Sequence, residues 1–392
     1  MTRISAEWLH DPASQAVCRV LSDAGFQALF VGGCVRNALI GAPVRDLDIS
    51  TDARPETVMD LARRAGIKAV PTGIDHGTVT LVENGIPFEI TTFRKDVETD
   101  GRRAVIAFAD DVRDDAMRRD FTMNALYVGP DGAVLDPLGG LPDLQARRVR
   151  FIGHAQDRIR EDYLRSLRYF RFHAWYGDAQ AGIDADALSA IAGNLDGLSR
   201  LSHERIGAEM LRLLAASDPA PSVAAMAACG ALAQLLPGAS DRALPILVHL
   251  ETQVEADPDP LRRLAALGGQ DIARHLRLSR ADAARLDRLT QAASDTQGPA
   301  ELGYRLKQPD ARDALLLRCA LLEQPWPPRA TEQIDQGAHA QFPVTARDLM
   351  PAYRHAALGA RLKLLERAWI ASGFALDKAA LLALPDRPIY PD

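Results

Sequence analysis

Two aspartates one residue apart, Asp46 and Asp48, follow closely on a glycine pair, Gly32-Gly33, and on Arg36. Alternate residues of a strand share a face, so both carboxylates are expected to project toward whatever the glycines approach. Carboxylates side by side repel unless a cation lies between them, and a divalent metal is the usual one. Glycines let backbone come close to a ligand, a short helix over residues 34–39 would aim free N–H groups at that turn as a phosphate seat, and Arg36 is placed to meet an anion. The chemistry suggested is that of a metal-bound nucleotide. A pair of solvated strand-edge aspartates is the plain alternative.

The surrounding pattern supplies elements to position these groups. Residues 1–25 read as one amphipathic helix ending at Gly25, 26–31 as a first strand and 46–50 as a second. A helix capped by Thr51 or Asp52 starts near Pro55 and closes at Gly66. Strands over 78–82 and 86–93 form a hairpin around Glu83-Asn84-Gly85. Glu89 falls mid-strand, either as a third carboxylate for a metal or as an ordinary surface glutamate. Residues 94–103 are charged and aperiodic and read as a mobile loop, with Arg102 and Arg103 either near substrate or simply solvated. A charged helix over 114–120 and a small hairpin over 125–128 and 134–135 complete this part. From about Asp157 onward the pattern is almost wholly helical, without a fixed repeat. The expected fold is α+β: a mixed-sheet head over 1–145, a helical neck over 146–215, and an elongated helical body and tail over 216–392.

Bulk properties limit the possibilities. The chain of 392 residues is too long for one ordinary core. Its 47% hydrophobic and 25% charged residues are those of a globular protein. No apolar run reaches membrane-spanning length and the N-terminus lacks a signal-peptide layout, so no membrane partner is expected. Cys18, Cys34, Cys229 and Cys319 are scattered, which suggests reduced thiols in a cytoplasm. A net charge of −6 excludes a wholesale polyanion binder, so any nucleic-acid surface must be a local patch.

Five segments then carry a resemblance. Gly32-Gly33-Cys34-Val35-Arg36-Asn37-Ala38-Leu39-Ile40-Gly41 with Asp46-Leu47-Asp48 resembles the first motif of the class II, bacterial-type CCA-adding tRNA nucleotidyltransferase and poly(A) polymerase family. Arg118-Arg119-Asp120-Phe121-Thr122-Met123-Asn124-Ala125-Leu126 is similar to its second motif, and Asp136-Pro137-Leu138-Gly139-Gly140 to its third. Glu161-Asp162-Tyr163-Leu164-Arg165 is similar to the fourth, and Glu204-Arg205-Ile206-Gly207-Ala208-Glu209 to the fifth. Their order over about the first 210 residues makes the match specific. Asn37 replaces a commoner aspartate, and Tyr163 is bulkier than usual.

The resemblance implies metal-dependent nucleotidyl transfer, with two Mg²⁺ ions on Asp46 and Asp48; Glu89, by its place in the neighbouring strand, is either a further ligand or the ordinary surface glutamate named above. Gly32, Gly33, Arg36, Arg118, Arg119, Asp120 and Asn124 would hold triphosphate and sugar; adjacent arginines point to different helix faces, so only one of Arg118 and Arg119 is expected on phosphate. Asp162 and Arg165, three apart, would offer an acceptor and donors that match the edge of C or A, a protein-borne base template. The plain alternative is a helix salt bridge. Glu161 would fix Arg165, Arg168 would face nucleotide or RNA, and Glu204 and Arg205 would buttress the template helix. His76, beside Gly77, suits a turn better than a catalytic base.

The implied substrates are a tRNA 3′ end, CTP and ATP, with template-independent addition or repair of the terminal CCA as the reaction. Gly73-x-x-His76-Gly77-Thr78-Val79 resembles the tRNA enzymes, and the unbasic C-terminal part argues against a polymerase gripping arbitrary RNA. Poly(A) addition is the first alternative. A catalytically silent RNA-binding homologue is the second.

Overall fold

The computed structural model describes residues 2–100 and 103–385. The chain divides into two compact units: residues up to Gly238 with Arg274–Arg277, and Ala239–Ala273 with the described residues from Leu278 onward.

The N-terminal unit begins with two helices, α1 (Glu7–His10) and α2 (Pro12–Ser22), where one was expected. Pro12 cannot sit inside a helix, and the Asp11 side chain accepts from the Ala13 N–H at 2.8 Å, so the chain restarts there. Next come β1 (Leu29–Val31), α3 (Gly33–Leu39), β2 (Asp48–Thr51) and α4 (Pro55–Arg64). Three strands follow, β3 (Lys68–Gly73), β4 (Thr78–Glu83) and β5 (Ile86–Thr92). The β4–β5 turn uses Asn84 at φ 51° and Gly85 at φ 81°, the positive pair a tight hairpin needs.

The segment expected as a loop is instead a hairpin of β6 (Arg94–Asp100) and β7 (Arg103–Phe108), forming its own two-stranded sheet. Its register runs from Arg94 opposite Phe108 to Asp100 opposite Arg103. Arg102 lies outside the described residues. Then come α5 (Val112–Met117), β8 (Tyr127–Val128), β9 (Val134–Leu135) and α6 (Leu141–Gln145).

Among the described residues the main sheet has seven strands in the order β3-β4-β5-β2-β1-β8-β9. All its pairings are antiparallel except β2 with β5. That one parallel pair sets Asp48 beside Glu89.

Four helices, α7 (Ala155–Glu161), α8 (Leu164–Tyr176), α9 (Ala185–Ala192) and α10 (His203–Leu214), continue the unit. Aromatic rings fasten α8 to the sheet domain. Phe121 lies 5.0 Å from Phe151 and 4.9 Å from Phe172, and Phe151 stacks on Tyr169 at 5.4 Å. These four side chains are buried, and such pairs add about 0.5–1.5 kcal/mol each beyond area burial.

The second unit is helical throughout its described residues and encloses an ionic core. Arg262 and Arg263, each 1% exposed, share the Glu251 carboxylate. Arg262 also reaches Asp313 at 2.5 Å, and Arg285 bridges Asp313, Asp310 and Asp259. Removing one member of such a buried set leaves charge without compensation. Glu251→Ala is therefore expected to destabilise this unit by about 3–5 kcal/mol, read as a shifted urea midpoint. A shift below about 1 kcal/mol would mean the network contributes no more than a surface pair.

Candidate active site

Strand β1 ends at the glycine pair, and Gly32 adopts φ 73° as the residue that opens α3. A Cβ placed on Gly32 would lie 3.6 Å from Arg119 Nη1, so the turn faces the second motif directly. Arg36 is buried rather than presented to solvent. Its Nη1 donates to Asn124 Oδ1 at 2.5 Å, its Nη2 to Asn37 Oδ1 at 3.0 Å and to the Tyr176 hydroxyl at 2.8 Å, and the guanidinium lies 4.0 Å from the Tyr176 ring centre. Asn37, the departure from the family pattern, thus helps hold Arg36 and also bonds the Pro43 carbonyl.

Asp48 opens β2, whereas Asp46 precedes the strand and is exposed. The two do not share a strand face by pleat, yet Asp46 still acts on Asp48 electrostatically. Burial, the Glu89 carboxylate and Asp46 together push Asp48 up to about 6, against the pull of Arg119. An acidic group so crowded by like charge is one that a bound cation would relieve, and hard carboxylate oxygens suit Mg²⁺. Among the described residues no three carboxylate, histidine or cysteine groups close into a ready-made metal cluster. His76 is exposed at the end of a short turn, where its carbonyl accepts from Arg94.

Arg118 and Arg119 both reach one carboxylate, that of fully buried Asp115, at 2.7 and 3.0 Å. They stand three and four residues after it, and both spacings are neighbours on a helix, so adjacency did not separate them as expected. Tyr127 donates to the same carboxylate at 2.7 Å, and Arg119 also reaches Ser50 of β2 at 3.3 Å. Burial alone would raise Asp115, but Arg119 and Arg118 hold it down to about 2. Asp120 is likewise buried and held at about 2 by Arg168 and by hydrogen bonds from Asn124 and Arg168, despite its desolvation. Its Oδ1 accepts from Asn124 at 2.8 Å and its Oδ2 from Arg168 Nε at 2.7 Å. Arg36, Asn124, Asp120 and Arg168 so form one unbroken chain of bonds from the glycine turn to α8. The third motif is a brace for this loop: Asp136 accepts from the N–H groups of Gly140 and Leu141, and a Cβ on Gly140 would come within 2.2 Å of the Thr122 carbonyl.

Asp162 lies in the break between α7 and α8, not within a helix; its carbonyl accepts from the Arg165 N–H at 2.9 Å, but its carboxylate bonds other partners than the Arg165 guanidinium. Its Oδ1 accepts from the Leu164 N–H at 3.1 Å and its Oδ2 from Arg205 Nη2 at 2.6 Å. Arg165 pairs with Glu161 and donates to the carbonyls of Arg158 and Arg118, each at 3.0 Å. Tyr163 fits because its neighbour is Gly197, where a Cβ would lie 2.0 Å from the ring. Glu204 does not buttress this helix; it makes an exposed pair with Arg277 at 3.4 Å. The buttress from that motif is Glu209, buried against Arg171.

Asp115, Tyr127, Arg158, Tyr176 and Glu209 were not singled out as site residues from the sequence. Asp115 carried a signal in its spacing before the arginine pair, and Glu209 lay inside a motif already recognised. Tyr176 carried none, since its partner Arg36 is 140 residues away.

Comparison with known proteins gives this arrangement its class. Residues 28–150 match the family described as Poly A polymerase head domain, and 182–242 the one described as Probable RNA and SrmB- binding site of polymerase A. Human mitochondrial CCA tRNA nucleotidyltransferase 1 is 32% identical over 373 residues, spanning 90% of this chain and 85% of that protein. A CCA-adding enzyme of Streptococcus pyogenes is 41% identical over 220 residues, 56% of this chain and 53% of its own length. The crystal structure of the Bacillus stearothermophilus CCA-adding enzyme in complex with CTP superimposes with a TM-score of 0.76 at 27% identity, covering 95% of this chain and 97% of that one. A Thermotoga maritima CCA-adding enzyme complexed with tRNA shares the fold, with a TM-score of 0.69 at 18% identity over 97% and 98% of the two chains. The protein is a nucleotidyltransferase. It belongs to the bacterial-type CCA-adding tRNA nucleotidyltransferase and poly(A) polymerase family.

The crowding of Asp48 predicts a stability signature. Its raised value means that ionisation opposes folding, a cost absent below about pH 4 and fully present above about pH 6. In metal-free solution Asp48→Asn is expected to raise the melting temperature at pH 7.5 by about 2–4 °C and to leave it unchanged at pH 4. An equal shift at both pH values, or none, would contradict the assignment.

Proposed function

We propose that this enzyme adds and repairs the 3′-terminal CCA of tRNA, using CTP and then ATP without a nucleic-acid template. The observation that carries this reading is the pairing of an intact carboxylate centre, Asp48 with Glu89 beside it and Asp46 nearby, with an Asp162–Arg165 segment in which Arg165 bonds the Arg118 carbonyl, next to the Arg119 that reaches Ser50 of β2. Bound at Asp46 and Asp48, with Glu89 as a further ligand, two Mg²⁺ ions would lower the pKa of the attacking hydroxyl and neutralise the departing pyrophosphate. Gly32 and Gly33 offer backbone N–H groups to the triphosphate, and Arg119, aimed at that turn, adds the nearest guanidinium. Arg36, Asn124 and Asp120 act by holding the turn and the sugar side of the site in place, since their own polar groups are engaged with one another.

Base choice follows from the remaining edges of Asp162 and Arg165. Three of the five Arg165 donors are held by Glu161 and two carbonyls, leaving Nε and one Nη2 hydrogen as a two-donor edge. Cytosine offers acceptors at N3 and O2 to such an edge and a donor at N4 to Asp162; adenine offers N1 and N6 in a similar arrangement. Uracil and guanine present an N–H where the arginine needs an acceptor. Arg205 and Leu164 keep Asp162 in the pose that makes the comparison. The division into head, 1–145, neck, 146–215, and tRNA-binding body and tail, 216–392, belongs to this proposal, as does a cytoplasmic setting, supported by four unpaired cysteines and by the lack of any described helix able to cross a membrane.

The deciding assay supplies a tRNA ending just before CCA, Mg²⁺ and labelled nucleotides. Ordered incorporation of two C and one A is expected; unlimited incorporation from ATP alone would assign poly(A) addition, and none would assign a silent binder. Asp48→Ala is expected to lower transfer on the order of 1,000-fold with tRNA affinity nearly unchanged. Asp162→Ala is expected to keep measurable transfer while admitting UTP, and unchanged selectivity would remove Asp162 from the template.

A further inference from the structure

We propose that Arg158 is a positioning residue for base choice, fixing the distance between the base-reading edge of Arg165 and the main chain that carries Arg118 and Arg119. The proposal rests on the reading of Asp162 and Arg165 as the template. Arg158 lies on α7 one turn before Glu161, with its side chain 11% exposed. Its Nη1 pairs with Glu161 at 2.6–2.7 Å, and its Nη2 donates to the Arg118 carbonyl and, at 2.8 Å, to the Arg119 carbonyl. Arg165 uses the same two acceptors, Glu161 and the Arg118 carbonyl, and donates as well to the carbonyl of Arg158 itself.

Two guanidinium groups therefore share one carboxylate and one carbonyl, and the pose of Arg165 is tied to Arg158 through side chain and backbone alike. The carbonyls at the end of α5 have no partner within their helix, and a planar fork satisfies two of them while still holding Glu161. A lysine ammonium has neither the reach nor the plane to make all three contacts at once. The side chains rooted at those carbonyls grip Asp115, and Arg119 approaches Gly32. Arg158 thereby sets how far the base reader stands from the phosphate seat. Misplacement on the scale of 1 Å is enough to cost about 100-fold in an oriented reaction, and a matched nucleotide loses more from it than a mismatched one.

The experiment uses the full-length Arg158→Lys and Arg158→Gln variants beside the parent protein. It measures kcat and KM for CTP and UTP on a tRNA ending before CCA, together with tRNA affinity and thermal unfolding. The CTP-to-UTP ratio of kcat/KM is expected to fall about 10-fold or more in Arg158→Gln, chiefly through the KM for CTP, with Arg158→Lys intermediate and tRNA affinity unchanged. A ratio within twofold of the parent in both variants would overturn the proposal, as would equal loss with every nucleotide or failure of both variants to fold, since each describes a merely structural residue. Addition of C, and of A once ATP is also supplied, by the parent protein on the same tRNA tests the proposed function separately, so the two failures are distinguishable.

Discussion

The buried carboxylate of Asp120 is the constraint on which the site depends. It is taken out of water and is kept ionised because Arg168 of α8, Asn124 of its own loop and the Phe121 N–H all bond it. Asn124 passes the connection to Arg36, and Arg36 to Tyr176 at the far end of α8. One ionised group therefore holds the glycine turn, the second motif and α8 together. Breaking a buried pair of this kind leaves a charge without compensation, which is far more costly than losing a surface ion pair. The aromatic cluster of Phe121, Phe151, Tyr169 and Phe172 supplies the apolar contact around it.

The electrostatics divide the site into two kinds of acid. Asp115 and Asp120 are buried with arginines and held at about 2. Asp48 is raised to about 6 by burial first and then by the Glu89 and Asp46 carboxylates, against the pull of Arg119. The first kind is neutralised by the fold and has no charge to spare for a ligand. The second is not, and a cation bound there would relieve both its burial and its repulsion, as proposed above. The two kinds of carboxylate thus differ in whether arginine or like charge dominates among their neighbours.

Much of this was legible in the sequence, in uneven degree. The glycine turn, the Asp46-x-Asp48 pair and the order of the five motifs could be read directly, because each is local. The β4–β5 hairpin was announced by Asn84-Gly85. Strand β3 was not, since Pro71 lies within it and it occupies the exposed edge of the sheet, where proline is tolerated. The β6–β7 hairpin was hidden by the charge of Arg94, Lys95, Asp96 and Glu98, which gave no apolar alternation. The parallel pairing of β2 with β5 is non-local, and so is every contact of Arg36 beyond Asn37. The partners of Arg165 include main-chain carbonyls, which no residue pattern reveals. Glu204 misled because the motif was read as a unit, whereas of its charged residues only Arg205 and Glu209 turn inward.

The proposed chemistry at Asp48 and the proposed base choice at Asp162 and Arg165 are separate properties of the site. The most direct test is the equilibrium binding of CTP, ATP, UTP and GTP to an Asp48→Asn protein, in which transfer itself is silenced. CTP and ATP are expected to bind still in preference to UTP and GTP, with the same ratios as in the parent protein. Loss of that preference on changing Asp48 alone would contradict their separation.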